Sequence, residues 1–362
     1  MKTILFNRHD SLGAKIVDFN GWEMPIHYKG ILHEHKVVRE EVGIFDVSHM
    51  GRISIKGPDA EIFLDFLSTN TIANKADGTA TYTVLADEQG GSIDDVIIYR
   101  NTKEDFFVVV NAGNRDKDLL HLQNHATQFD VSIQSHFQEE GILAIQGPKA
   151  EAVLKKIFPD FLSLRSFHFL HLTYDHLPLI LSKTGYTGSG GAEIYAPHAL
   201  IIKLWDLLLE IGKEEHIEPI GLGARDTLRL EMGYALYDHE LTATIPANES
   251  VSAWTVKFEK KEFLGKEALQ KIEHSSSKRH PYGIVMIDKG IPRAGYDIYF
   301  EGTPIGIVTS GTHSPSLNIG IALILTTKKL NDGDTIEVMI RSHPCKAKVT
   351  PLPFYRDNRK EK

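Results

Sequence analysis

One seven-residue pattern occurs twice in this chain: Ile55-Lys56-Gly57-Pro58-Asp59-Ala60-Glu61 returns as Ile145-Gln146-Gly147-Pro148-Lys149-Ala150-Glu151. Each copy ends a short apolar strand at Gly-Pro and then opens an amphipathic helix. Ala60, Phe63, Leu64 and Leu67 share one face of the first predicted helix, and Ala150, Val153, Leu154 and Ile157 one face of the second. A glycine-rich hairpin follows each helix. The first runs from 81–86 over Asp87-Glu88-Gln89-Gly90-Gly91 to 93–99, and the second from 179–182 through a turn at 185–191 to 193–195. Acids follow a Gly-Gly pair in both, Asp94 and Asp95 in one and Glu193 in the other. The expected fold class is therefore α+β, with a duplicated unit whose two hairpins face each other and present carboxylates to a shared cleft.

At 362 residues the chain is too long for one core, because single cores stop growing at about 250 to 300 residues. Two or three domains are expected. A strand is predicted over Phe106 to Val110, and the apolar spacing predicts helices from Leu200 to Ile211 and from Leu222 to Tyr234. The stretch from His274 to His280, rich in serine and charge, has the composition of a linker. Beyond it, apolar segments at 283–287, 296–300, 303–309, 318–324, 335–340 and 345–350 alternate with Gly, Pro and Asn/Asp turns, as in a small β-barrel.

The formal net charge of -8 offers no global basic field, so neither nucleic acid nor an anionic membrane is an expected partner. Cys345 is the sole cysteine, placed in a predicted β-turn beside Pro344, which excludes an internal disulfide framework and a thiolate metal cluster. Residues 1–10 lack the apolar stretch of a signal peptide and the Arg/Ser-rich pattern of a transit peptide, and no apolar run reaches the roughly 18 residues of a membrane span. Cytoplasm is the expected location.

Several residues could carry chemistry, and the residues alone leave each with two readings. Asp94 and Asp95 lead a β-branched strand, whose successive side chains point to opposite faces, so only one can enter a given cleft. They form either a hydrated hairpin end or a carboxylate desolvated by apolar neighbours and suited to directing protons on a reacting amine. The loop Gly185-Tyr186-Thr187-Gly188-Ser189-Gly190-Gly191 has no Lys-Ser or Lys-Thr after it and is not a phosphate loop. It is either a plain turn or a mount for Glu193, whose carboxylate can grip an amino-heterocycle through two parallel hydrogen bonds. Arg225 and Arg229 lie one turn apart on the second predicted helix. They either pair with nearby acids or offer a fork to a carboxylate or polar heterocycle. His33-Glu34-His35 and His168-Phe169-Leu170-His171 match no metal-ligand spacing, so no metal is expected.

Taken together, Gly13-Ala14-Lys15-Ile16-Val17-Asp18-Phe19-Asn20-Gly21-Trp22-Glu23-Met24-Pro25, Gly43-Ile44-Phe45-Asp46-Val47-Ser48-His49-Met50, Gly91-Ser92-Ile93-Asp94-Asp95, Asn111-Ala112-Gly113 and Gly185-Tyr186-Thr187-Gly188 resemble the T-protein (aminomethyltransferase) family of the glycine cleavage system. So do Ala224-Arg225-Asp226-Thr227-Leu228-Arg229-Leu230-Glu231, Phe263-Leu264-Gly265-Lys266 and Thr309-Ser310-Gly311-Thr312, and the likeness continues to Leu352-Pro353-Phe354-Tyr355. The resemblance implies a three-domain, cloverleaf-like molecule around a folate channel. Two interleaved α+β domains, approximately 1–50 with 140–235 and 51–139 with 236–273, would form a folate-binding region over 1–273, and 281–362 the β-barrel. It implies transfer of an aminomethyl carbon from the lipoyl arm of H-protein to tetrahydrofolate, giving 5,10-methylenetetrahydrofolate, ammonia and dihydrolipoyl H-protein, with P-protein and L-protein as indirect partners. By the same resemblance, Asp95 is the catalytic acid near the reacting folate nitrogens, Glu193 bonds the pterin and Arg225 contacts the folate. Met50, Tyr82 and Val110 form the pocket wall, and Asp94 and Tyr355 complete the binding set.

One departure stands in Gly233-Tyr234-Ala235-Leu236-Tyr237-Asp238, where the family usually has glycine in place of Asp238. An added carboxylate there is expected to reshape that turn. Related folate-binding paralogues that maintain iron-sulfur clusters carry a Lys-Gly-Cys-aromatic-x-Gly-Gln-Glu motif that this chain lacks. Flavin-fused demethylating relatives need length that is not present, and a scaffold that only docks the carrier would bind no folate.

Overall fold

A computed structural model describes residues 1–357, so the last five positions of the expected barrel domain, 358–362, lie outside the described residues. Two compact units are present, one of residues 1–66, 71–83 and 95–226, the other of 67–70, 84–94 and the described residues from 227 onward.

Besides a two-stranded sheet of Lys15–Phe19 and Trp22–His27, residues 42–219 form two larger sheets. One has six strands in the order Phe169–Tyr174, Leu177–Ser182, Gly191–Pro197, Glu140–Gln146, Val42–Asp46 and Ile217–Pro219. The other has five, in the order Thr79–Ala86, Ser92–Thr102, Asp105–Val110, Gly51–Lys56 and Ser132–Ser135. Each copy of the sequence repeat closes one strand of one sheet in the same way. Gly57 has φ +142° and Gly147 φ +138°, and a Cβ on either would overlap a backbone carbonyl oxygen, that of Asp130 or of Glu41. Only glycine tolerates both that conformation and that approach. The helices that follow differ in length, Ala60–Leu67 against Ala150–Leu154. Pro159 disfavours helical geometry at Phe158, which takes φ -123° and ψ 76°, so the second cannot run past Ile157. Ile157, expected on the helix face, lies beyond the helix but still packs against its core.

Alternation along the strands decides what each face carries. Ala192, Ile194 and Ala196 pack with Val42, Ile44, Leu143 and Ile145 against Leu200, Leu204, Trp205 and Leu208 of the helix His198–Ile211. Glu193 and Tyr195 are thereby turned to the opposite face. In the five-stranded sheet Tyr99 stacks on its cross-strand neighbour Phe107 at 4.3 Å, and its hydroxyl lies 2.7 Å from that of Tyr195. The two predicted hairpins do face each other, through these tyrosines.

In the second unit six strands close a barrel in the order His280–Met286, Ile319–Thr326, Thr303–Ser314, Asp297–Phe300, Thr335–Ile340 and His343–Thr350. Ile284, Ile298, Val308, Ile324, Val338 and Val349 fill it, and closure leaves no free edge to template aggregation. Cys345 is not in a turn, contrary to expectation. It sits on the last strand opposite Val338, and the reversal is made by Arg341 and Ser342, both at positive φ as a two-residue hairpin turn requires. The helix predicted over 222–234 spans Leu222–Glu231. Gly233 at φ +70° caps it, with its N–H donating to the Leu230 carbonyl and that of Tyr234 to the Arg229 carbonyl. Asp238 adopts φ +70° itself and its N–H donates to the Leu241 carbonyl, so the turn keeps the left-handed geometry that glycine would take there.

Candidate active site

The strand Ser92–Thr102 projects its adjacent acids to opposite faces. Asp95 shares the face of Tyr99, four residues on, and is half-buried; Asp94 points the other way and is 0% exposed. The structure therefore does not bring Asp94 together with Asp95. Tyr82 Oη donates to Asp95 Oδ2 at 3.0 Å, and Asn111 Nδ2 donates to Asp95 Oδ1 and to its backbone oxygen, both at 3.1 Å. Asn111 lies at the end of the neighbouring strand Asp105–Val110, which also supplies the buried Val110, paired across to Gly51 just after Met50.

Glu193 is buried on the facing sheet. Its Oε2 accepts from Thr184 Oγ1 at 2.5 Å and from Tyr195 Oη at 3.2 Å, while among the described residues Oε1 takes no hydrogen bond. Burial foremost, with the Glu193 charge second, raises the hydroxyl pKa of both Tyr99 and Tyr195, so they remain protonated donors. Along the strand, Asp95 and Tyr99 are separated by about 13 Å, at roughly 3.3 Å per residue.

Arg225 stacks its guanidinium 4.6 Å from the centroid of the Tyr186 ring, with Nη2 3.9 Å from Met50 Sδ. Burial lowers its pKa, and the charges of Tyr186 and Glu193 oppose that shift. Arg229, 2% exposed, belongs to the second unit and is structural: it donates to the Tyr234 carbonyl, Glu240 Oε2 and Ser310 Oγ, at 3.1, 3.1 and 2.9 Å. Tyr355 also belongs to the second unit, its N–H donating to the Glu231 carbonyl at 3.0 Å.

The glycine loop is a fixed turn. A Cβ on Gly185 would collide with the Gln146 side chain, and Arg39 Nη1 donates to the Thr187 carbonyl and to Ser189 Oγ. Sequence reasoning assigned no role to Asn111, Thr184 or Tyr186. Asn111 and Tyr186 lie inside motifs already singled out, while Thr184 carries no signal apart from its nearness to the loop. Among the described residues no group of three or more His, Cys, Asp or Glu is arranged to hold a metal, and no helix is long and apolar enough to cross a membrane.

Comparison with known proteins identifies the family. Residues 5–260 match the GCVT N-terminal domain, and residues 279–356 match the glycine cleavage T-protein C-terminal barrel domain. An aminomethyltransferase of Chlorobium luteolum is 44% identical over 361 residues, with 98% of each chain covered. One of Desulfitobacterium hafniense is 41% identical over 357 residues, again with 98% of each covered. The crystal structure of glycine cleavage system aminomethyltransferase T from Bartonella henselae superposes with a TM-score of 0.91 at 32% identity, covering 98% of both chains. The chain belongs to the glycine cleavage T-protein family, the aminomethyltransferases of that system.

Proposed function

We propose that the chain moves the aminomethyl carbon from the lipoyl arm of H-protein onto tetrahydrofolate, and through H-protein works with P-protein and L-protein. The observation that carries this reading is the pair of carboxylates on facing sheets of one unit: Asp95 clamped by Tyr82 and Asn111, and Glu193 held through one oxygen only. Glu193 takes the amino-heterocyclic edge of the pterin, Met50 and Val110 wall the pocket, and Arg225 contacts the folate. Asp95 then meets the nitrogens that receive the carbon.

In the reaction, two C–N bonds form between the transferred carbon and the folate nitrogens, while its bonds to the amine and to sulfur break. The two folate N–H protons leave with ammonia and with the lipoyl thiol, so atoms balance. An anionic Asp95 orients the attacking nitrogen and stabilises the iminium character that develops as ammonia departs. Positioning of this kind supplies up to about 7 to 11 kcal/mol in well-oriented systems. A cytoplasmic place of action fits the single cysteine. Mixing the protein with aminomethyl-loaded lipoyl carrier and tetrahydrofolate should release ammonia and methylenetetrahydrofolate in equal amounts. Folate binding without either product would overturn the reading.

A further inference from the structure

Four rings fill the middle of the space between the two larger sheets of the first unit. Tyr99 stacks on Phe107, and Phe169 and Tyr195 meet both rings edge-on at 5.4 to 5.9 Å. Asp95 and Asn111 lie on one side of this aromatic block. Asn101 lies on the other, about 20 Å from Asp95 along the strand at roughly 3.3 Å per residue. There a groove of about 270 Å³ opens, where Asn101 and Asp105 share the lining with Arg52, Ser54, His136 and His171. It is smaller than the roughly 300 to 1,000 Å³ that a drug-sized ligand occupies.

Arg52 Nε and Nη2 donate to the two Glu140 oxygens, so among the described residues Nη1 and the second Nη2 hydrogen have no protein acceptor. Its guanidinium lies 5.4 Å from the centroid of the Phe107 ring, which holds the fork in place. His136 Nε2 lies 2.8 Å from Ser54 Oγ, and its Nδ1 lies 3.7 Å from the exposed Glu139. On the facing sheet, His171 Nε2 donates to Asn101 Oδ1 at 2.7 Å, and Asn101 Nδ2 donates to Asp105 Oδ1 at 3.1 Å. Asp105 also pairs with Lys56 at 3.3 Å, and Lys56 stands in the same wall. Because an amide oxygen only accepts, the His171 proton sits on Nε2, and a second donor appears only in its imidazolium.

Burial first, and then Arg52, lower the His136 pKa, with Glu140 and Glu139 opposing. Partial burial foremost, opposed by Asp105, and then Arg52 and Lys56 lower that of His171. Arg52 therefore disfavours a further positive charge on both rings. An anion on the open edge of Arg52 offsets that repulsion and draws a proton to each imidazole.

We propose that this groove is a second binding site, separate from the one read for tetrahydrofolate, that takes a tetrahedral oxyanion on Arg52, His136 and His171. The three donors come from the strand Gly51–Lys56, from the end of the edge strand Ser132–Ser135 and from Phe169–Tyr174 of the other sheet. Donors so spread suit a phosphate group better than a planar carboxylate, which a single fork satisfies. The phosphate is free or carried by a small monoester, and its binding ties the edge strand to the facing sheet.

Calorimetric titration of the full chain with sulfate, whose charge is constant across the range, compares pH 6 with pH 8. Proton uptake on binding should make sulfate at least about fivefold tighter at pH 6. Arg52→Gln should weaken it at least about tenfold, the scale of a lost charged hydrogen bond. His171→Asn, which leaves the Arg52 pair with Glu140 intact, should remove most of the difference between the two pH values. Inorganic phosphate and glycerol 3-phosphate should both bind, the tighter of the two showing whether the group is free or esterified. Absence of sulfate binding at millimolar concentration, equal affinity at both pH values, or an affinity unchanged in both variants overturns the proposal.

Discussion

At the scale of single residues, the site depends on which side of a strand an acid points. The adjacent acids before a β-branched strand were legible in the sequence, but the choice between Asp94 and Asp95 rests on the register with Asp105–Val110 and on Tyr82 and Asn111. Asn111 is an unremarkable residue until its neighbour is known, because a hydrogen bond across 16 positions leaves no periodic trace. Glu193 shows the converse. Its glycine loop drew attention, yet the loop is a turn pinned by Arg39, and the open oxygen of Glu193 depends on Thr184 and Tyr195 occupying the other. Glu193→Gln removes the charge from hydrogen bonds worth about 1.5 to 3 kcal/mol. Equilibrium titration should therefore show tetrahydrofolate affinity reduced about ten- to a hundredfold, and an affinity within twofold of wild type would remove Glu193 from the pterin end.

At the scale of elements, the repeat was fully legible because it is a local pattern with a local cause. The helices after it were less so, since the second spans only Ala150–Leu154 although its apolar face continues to Ile157. Cys345 was misplaced for a related reason: Pro344 reads as a turn residue, but the positive φ at Arg341 and Ser342 completes the reversal before it. The repeat glycines make a sharp prediction. Gly147→Ala must place a Cβ against the backbone oxygen of Glu41, which cannot swing aside, at a φ that alanine rarely adopts. Strain and overpacking each cost about 1 to 3 kcal/mol, so urea unfolding should show a loss of about 2 kcal/mol or more. Gly190→Ala, at φ +83° with nothing within 4 Å of its Cβ, should lose less. Equal losses would mean that the shared turn of the repeat is not a packing constraint.

At the scale of the whole molecule, the barrel could be read from evenly spaced apolar segments, but the order of strands in each sheet could not, because pairing joins distant positions such as Val42–Asp46 with Glu140–Gln146. Stability also carries a mark of the site. Burial first, and then Arg225, lower the His49 pKa from 6.5 to about 4, with Asp46 opposing. The unfolded chain therefore binds a proton at His49 that the folded chain does not, throughout the window between about pH 6.5 and pH 4, and stability falls as pH drops through it. At pH 5 the contribution lost is about 2 kcal/mol. His49→Phe should flatten the decline in unfolding free energy between pH 7 and pH 5 by that amount, and an unaltered slope would show that His49 is not held neutral. The most direct measurement of the central claim is single-turnover transfer by Asp95→Asn, with tetrahydrofolate affinity determined on the same protein. Affinity should stay within about threefold of wild type while the transfer rate falls at least tenfold, near 1.4 kcal/mol of lost transition-state stabilisation. Equal losses of affinity and rate, or an unchanged rate, would contradict the role of Asp95 at the reacting nitrogens.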